Sequence, residues 1–348
     1  MIKYNLLFIL FILGAAPLWG QVKETKLDQS FNVNGNTRLS IDNRFGKVHI
    51  DTWNQNKIQA RVEVEVEGNE GSARDVLDRI NIDVSESSGE ISIETDISDT
   101  KNDKWRNQRF KINYTIRMPM NNPLSVDHRH GDLYINNFGG PLEVDLAHGQ
   151  IVAEELNGNS DISLQHGNGG RIAAITSGSL EFQHYQRLRL GKIGNLDLEV
   201  AHASAEIEQA GDLDLELRHS NLEFGAVGKL NVDMQHSKLE AESIDALNSD
   251  MQHSTIELER LGDALIADCQ HSHIEIDRMS ANFEEITFDG NHSYLAVELD
   301  SGANGTLEVE LNHGRLRYSE SSVSMSYTNI ENNNSHYKGK IGNGSGGK

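Results

Sequence analysis

The stretch Leu142-Glu143-Val144-Asp145-Leu146-Ala147-His148-Gly149-Gln150-Ile151 decides the fold. Leu142, Val144 and Leu146 alternate with Glu143 and Asp145, the period-two signature of a strand buried on one face. After His148 the next apolar residue, Ile151, is out of phase by one. A one-residue slip is what a corner between two strands produces, so His148 marks a bend.

The same grammar recurs on both sides. His130, His148, His166, His184 and His202 are 18 residues apart; His219, His236 and His253 follow at steps of 17; His271 comes after 18, and His292 and His313 after 21 each. Apolar residues precede the marker by two positions (Leu164, Phe182, Met234, Met251, Cys269) and return three positions after it (Leu133, Leu222, Leu239, Ile256, Ile274, Leu316). Earlier still, Arg44-Phe45-Gly46-Lys47-Val48-His49-Ile50 matches Arg129-His130-Gly131-Asp132-Leu133-Tyr134-Ile135, with Phe45 in the marker position. Glycines Gly158, Gly194, Gly211, Gly228 and Gly262 mark a second corner, so one unit reads strand, corner, strand, turn.

Units of 17 to 21 residues are too short for a propeller blade. They contain no helix and neither the leucine-rich nor the calcium-binding nonapeptide pattern. The fold expected is therefore all-β: a parallel β-solenoid whose coils stack on one another, with a β-rich N-terminal cap. Pro123 and Pro141 are the only prolines within the repeat, which suits coils that must donate backbone hydrogen bonds on both sides. An antiparallel sandwich is the alternative.

Stacking turns each position of the unit into a column at about 4.8 Å spacing, so eleven histidines would extend for roughly 50 Å. The marker shares parity with the buried residues before it and is expected to point inward or along the corner. Gln165, Gln183, Gln235, Gln252 and Gln270 precede it, and Ser220, Ser237, Ser254, Ser272 and Ser293 follow it. Stacked amides and imidazoles are expected to hydrogen-bond from coil to coil. Imidazole chemistry also predicts a loosening of the stack below about pH 6. A straight ladder does not supply the tetrahedral donors that zinc requires, although the pairs His128/His130 and His271/His273 add nearby imidazoles. Outward columns are acidic: Asp145, Glu181, Glu199, Glu216, Asp233, Asp250, Asp268, Asp289 and Glu310 before the marker, then Glu206, Glu223, Glu240, Glu257 and Glu275, with Glu208, Glu242, Glu259 and Asp277 beside them. Such columns read first as a solvated face that prevents lateral sheet growth, and second as a surface on which calcium could be held.

Composition bounds the partners. Among 348 residues, 53 acids against 31 bases leave a net charge of -22, which excludes a general affinity for nucleic acid or anionic membrane. The single cysteine, Cys269, excludes an intrachain disulfide and a cysteine-based zinc site, and sits in a core column. Residues 1–20 read as a secretory signal: a basic start at Lys3, an apolar run from Leu6 to Leu18, and cleavage after Gly20. No second apolar run is long enough to span a membrane, so the mature chain is expected to be exported to the periplasm, cell surface or medium.

Residues 21–120 form the expected cap and opening coils, 121–318 the histidine-marked repeats, and 319–348 a Ser/Asn/Gly-rich end. Within the first region Ile58–Val66, Ile80–Ile97 and Phe110–Met118 alternate as strands, Gly71–Asp78 reads as a short helix or turn, and Thr100–Asn107 as a loop. Trp53 and Trp105 are expected to pack within the cap. Near the other end Tyr337-Lys338-Gly339-Lys340-Ile341-Gly342 looks like the start of a further coil, either frayed or completed by another chain.

These residues resemble the bacterial putative-adhesin family of β-strand repeats. The resemblance rests on Leu39-Ser40-Ile41-Asp42-Asn43-Arg44-Phe45-Gly46-Lys47-Val48-His49-Ile50-Asp51-Thr52-Trp53, then Asn56-Lys57-Ile58, the Met118-Pro119-Met120 strand end and the repeated His-Gly or His-Ser corners. It spans most of the mature chain. It implies secretion and a β-solenoid, and supplies no catalytic residue.

Three functions follow as expectations. The first is an exported, non-enzymatic, adhesin-like or structural repeat protein of the cell envelope, binding a glycan or protein through its long faces. The second is a polysaccharide-active β-helix enzyme, which needs carboxylates converging in a cleft. The third is a cation-binding envelope accessory. The acids are spread evenly, and no nucleophile elbow, HExxH helix or phosphate loop is present. Hence no catalytic, cofactor-binding or metal-ligating residue is assigned; calcium on the acidic columns is the one cofactor considered.

Overall fold

A computed structural model describes residues 21–98, 109–318 and 320–345. The expected leader at 1–20, Trp105 and the Thr100–Asn107 loop lie outside the described residues.

The opening elements are β1 (Gln21–Asn32), β2 (Arg38–Trp53), β3 (Lys57–Glu67), α1 (Glu70–Leu77), β4 (Ile80–Ser87), β5 (Glu90–Ile97), β6 (Phe110–Pro119) and β7 (Leu124–Ile135). β2 is the first coil. It runs parallel to β7 with Arg44 opposite Arg129, Gly46 opposite Gly131 and Ile50 opposite Ile135, the pairing that the two similar heptapeptides predict. The chain between them builds the cap. β5 and β6 cover the other edge of β2 in parallel. Antiparallel strands then close the end: β4 on β5, β3 on β6, and β1 on β3. Reversing strand direction ends the stack, because the outermost strand no longer presents the edge that another coil would continue. The helix expected near residue 71 is α1; Asn69 caps it by accepting from the Ser72 amide at 3.0 Å. Trp53 is half-exposed, and its Nε1 donates to the Lys57 carbonyl at 2.8 Å across the turn between β2 and β3.

Under the cap lies a buried polar knot. The Asn43 side chain donates to the Ile112 carbonyl at 3.2 Å and accepts from the Thr95 hydroxyl at 3.0 Å; Thr95 Oγ1 lies 2.7 Å from the Tyr114 hydroxyl, and His128 Nδ1 lies 3.4 Å from Asn43 Nδ2. The four strands β2, β5, β6 and β7 thus meet on four side chains.

The coils follow as β8 (Leu142–Ala147), β9 (Ile151–Gln165), β10 (Arg171–Gln183), β11 (Leu188–Ala201), β12 (Ser204–Ala210), β13 (Leu213–Arg218), β14 (Asn221–Gln235), β15 (Lys238–Gln252), β16 (Thr255–Leu258), β17 (Leu261–Gln270), β18 (His273–Met279), β19 (Glu285–Asn291), β20 (Tyr294–Leu299) and β21 (Gly305–Asn312). Pairings between successive coils are parallel throughout, for example Asn221–Gln235 against Lys238–Gln252. The solenoid expectation holds, and the sandwich alternative does not.

One coil carries more corners than the sequence suggests. Through Ser220, Leu222, Phe224, Val227, Leu230, Val232, Met234 and Ser237 the buried positions step by two, two, three, three, two, two and three. Each step of three is a phase slip, so a coil has three corners rather than two. Single residues between corners carry no alternation, which is why Val227 does not announce a side of its own. The extra residue of the 18-residue coil sits at one of these corners, where Leu261 to Leu265 steps by four and the register shifts. The longer coil after His271 bulges at the same place, between Met279 and Ile286. In these coils the insertion stays at one corner and the flanking columns keep their register. In the coils after His166 and His184 the extra residue lies at the marker corner instead, where Ile172 pairs with Ala153 and Leu190 with Ile207.

Every marker has a left-handed backbone: φ is 66° at Phe45 and 50–60° at the eleven histidines. That conformation is unfavourable for most L-residues, and histidine is among the few enriched there. Backbone amides at the corner are not left orphaned. His236 and His253 donate to the carbonyls of Gln252 and Gln270 in the next coil at 3.0 and 2.9 Å. In the later coils the serine after the marker closes the rest. Amides of Ser220, Ser237, Ser254 and Ser272 donate to Oγ of Ser237, Ser254, Ser272 and Ser293 at 3.1–3.2 Å. Ser237, Ser254, Ser272 and Ser293 donate in turn to the carbonyl two residues back at 2.8–3.0 Å.

The C-terminal end departs from expectation. β23 (Asn334–Ile341) contains the segment that looks like a coil start, yet it lies antiparallel on β21, and β22 (Val323–Glu331) lies antiparallel on β23. The hairpin is a cap, the counterpart of the one at the other end. Leu316, placed three after His313, is in no strand. Tyr337 and Ile341 alternate toward the core in either strand direction, so their spacing could not report orientation. Among the described residues no helix is long and apolar enough to cross a membrane.

Candidate functional site

Three surfaces gather chemistry, each a column or pair of columns created by coil stacking. The first is the marker column. The imidazoles of His130 through His313 stack face to face, with ring centroids 4.0–5.0 Å apart and planes within 0–19°. Phe45 starts the stack at 5.3 Å from His130, and Phe110 closes it edge-on against Phe45. All eleven histidines are exposed. The expected inward direction is therefore corrected: the positive φ turns each Cβ out of the core although the parity of the strand says otherwise. The expected hydrogen bonding between rings is corrected too; the rings stack, and the coil-to-coil bonds run through backbone and serine. Gln235 Nε2 to Gln252 Oε1 at 3.3 Å is a side-chain amide rung of the expected kind.

Parallel rings have parallel lone pairs, and lone pairs that do not converge do not share a metal ion. The neighbouring pairs do not change this. His128 is fully buried in the polar knot, away from the ladder. His273 belongs to a second stack with Tyr294 at 4.7 Å, and its Nε2 lies 3.6 Å from Glu275.

The second surface is the acidic column before the markers. Pairing sets Glu199 beside Glu216, Glu216 beside Asp233, Asp233 beside Asp250, Asp250 beside Asp268, Asp268 beside Asp289 and Asp289 beside Glu310. Partial burial and then the neighbouring carboxylates push Asp250 and Asp289 above the ordinary aspartate range. Asp145 and Asp42 are pushed the same way, by burial first and then by Asp127.

The third surface is a trough of about 700 Å³ on the wall after the markers, where Glu206, Glu223, Glu240, Glu257 and Glu275 face Glu208, Glu242, Glu259 and Asp277. Ile207, Phe224, Ala241 and Leu258 form its floor. Bases interrupt the acid: Arg189 meets Glu206 at 3.2 Å, and Lys238 bridges Glu240 and Glu257 at 2.6 and 3.0 Å. The trough is open along its length and holds no nucleophile–base pair. Cys269 is buried against Met251 Sδ at 3.8 Å, and burial pushes its thiol up to about 12, as suits a core residue.

One cluster escaped the sequence reading. Glu308, Glu310 and His336 converge across β21 and β23. Their signal, Glu-x-Glu against His-x-Lys, is visible only once the strands are known to run antiparallel.

The buried and half-buried groups predict a two-sided pH response. Burial lowers the affinity of His128 for a proton, against partial compensation from the Asn43 and Gly46 carbonyls; for the largely exposed His130 the slight desolvation of its ring and then His148 act in the same direction. The unfolded chain then binds more protons than the folded one below the ordinary histidine pKa of about 6.5, so stability falls as pH falls. The raised aspartates act oppositely: the folded chain binds more protons than the unfolded one, and stability is regained as pH falls through their raised range. A melting temperature that declines as pH falls through the histidine range, with the decline easing once the aspartates begin to titrate, is expected; a flat profile from about pH 8 to 5 would contradict it.

No family model matches the chain, and no curated protein matches it. Among solved structures it is similar to a putative cell adhesion protein from Clostridium sporogenes (14% identity over 74% of this chain and 99% of that one, TM-score 0.23). It is also similar to a putative adhesin from Bacteroides fragilis (13%, 79% and 100%, TM-score 0.28) and one from Parabacteroides distasonis (11%, 81% and 94%, TM-score 0.29).

Proposed function

We propose that this chain is an exported, non-enzymatic, adhesin-like repeat protein of the cell envelope that binds an extended glycan or protein along its long faces. One observation carries the reading. Its exposed chemistry is laid out in in-register columns, imidazoles at 4.0–5.0 Å from His130 to His313 and carboxylates from Glu181 to Glu310, along open faces rather than in an enclosed cleft. Columns offer the same group at a fixed repeat, which suits a polymer with a repeat of its own. An enclosed site for a small substrate needs convergence and exclusion of water. The leader-like residues 1–20 support export.

The test is residues 21–348 on arrays of neutral, acidic and basic glycans and of extended peptides, with product release followed in the same wells. Saturable binding that grows with ligand length and gives no turnover is the expected result. Chain cleavage, or affinity independent of length, would reject the proposal.

A further inference from the structure

The imidazoles of the ladder point the same way, but one imidazole elsewhere does not stand alone. His336 Nε2 lies 3.0 Å from Glu308 Oε1 and 3.6 Å from Glu310 Oε1. All three donor atoms fit within 4.8 Å of one another. In a tetrahedral zinc site with bonds of about 2.0–2.1 Å, ligand atoms stand roughly 3.3–3.4 Å apart, and the two measured distances bracket that value. Imidazole nitrogen and carboxylate oxygen are both zinc donors, whereas calcium takes oxygen only. Strand geometry supplies the convergence. Glu310 is directly opposite His336 and Glu308 opposite Lys338 in the antiparallel pair, and alternate residues share the outward face. The Tyr327 ring packs edge-on at 5.4 Å and limits rotation of the imidazole.

We infer that Glu308, Glu310 and His336 form a zinc site, with water in the fourth position, that fastens the C-terminal cap to the last coil. The ligands come from β21 and β23, so the ion would join the two elements whose antiparallel pairing ends the solenoid. Lys338 competes for the site: its Nζ lies 2.7 Å from Glu308 Oε1, placing an ammonium where the cation would add charge. Zinc binding therefore displaces Lys338 from Glu308. The inference does not depend on what the long faces bind.

Calorimetric titration of chelator-stripped residues 21–348 with zinc chloride tests it. The expected result is a tightest site of one zinc per chain, lost in His336→Gln and weakened about tenfold or more in Glu310→Gln. Lys338→Met should bind zinc several-fold more tightly, since a competing cation is removed. A ladder variant, His236→Gln with His253→Gln, should leave this site unchanged, and amide exchange across Asn334–Ile341 should slow when zinc is added. Glu310 is largely exposed, so its substitution tests the site without endangering the fold. The inference is overturned if no one-to-one site appears, if both Glu310→Gln and His336→Gln titrate as the parent does, or if the ladder variant is the one that loses the site.

Discussion

Gly149→Ser is expected to cost about 3 kcal/mol, the upper end of the usual range for overpacking, although serine occupies the equivalent position in five later coils. A Cβ at Gly149 would lie 1.7 Å from the Gly131 carbonyl oxygen and 2.7 Å from its carbon. Gly131 stands in the same relation to Gly46, at 1.6 Å. The obstacle is backbone, which cannot rotate away as a side chain would. The first coils therefore close glycine on glycine, while the later ones leave room for a serine whose hydroxyl takes up the amide of the coil before it. These are two incompatible solutions to one corner. Gly211→Ala is the control: the nearest atom to its Cβ is the Asn195 side-chain oxygen at 3.1 Å, and reduced freedom of the unfolded chain should leave stability within about 1 kcal/mol of the parent. Urea unfolding of the two variants checks both values. Equal midpoints for Gly149→Ser and the parent would show that the corner can convert from one form to the other.

Asn43→Leu should be equally severe, for a chemical reason. Asn43 is fully buried, and leucine keeps its branched four-atom shape, at a larger volume, while removing its amide. The Ile112 carbonyl then loses its donor and the Thr95 hydroxyl its acceptor. The Ile112 carbonyl left without the Asn43 amide costs about 1–3 kcal/mol, and Thr95, which keeps its 2.7 Å contact with the Tyr114 hydroxyl, adds a smaller loss. Because the knot joins the first two coils to the cap, the loss should appear first there, as faster amide exchange in β5 and β6 with the distal coils unaffected. Ser249→Ala provides the contrast: its hydroxyl is buried with no hydrogen-bond partner, so removing it should be neutral or mildly stabilising. Exchange that quickens uniformly along the chain would refute the local role given to Asn43.

Much of this molecule is legible in its sequence, and the legible part has a common cause. A repeat states the same local preference many times, so errors of reading average out. The alternation Leu142-Val144-Leu146, the marker at His148 and the pairing of Arg44 with Arg129 could be found without coordinates because strand period and coil length are properties of neighbouring residues. In-register columns follow from nearly equal coils by arithmetic alone. The candidate surfaces inherit that legibility: the Glu240–Glu257 and Asp233–Asp250 neighbours lie where spacing puts them.

What the sequence left open depends on backbone direction, and parity does not carry direction. At the markers a positive φ reverses the face that the strand pattern assigns, which turned an expected inward ladder into an exposed stack. At Val227 one residue makes a side of the coil, too short for any period to show. At Tyr337–Ile341 an alternating segment serves a parallel or an antiparallel strand equally well, and only its docking on β21 decides which. By itself, then, the sequence determined the coil, its repeat and the columns it displays, because these arise from contacts between residues a fixed step apart. Tertiary structure alone decided where the stack stops and which donors converge there, because Glu308, Glu310 and His336 become neighbours only when the chain turns back on itself.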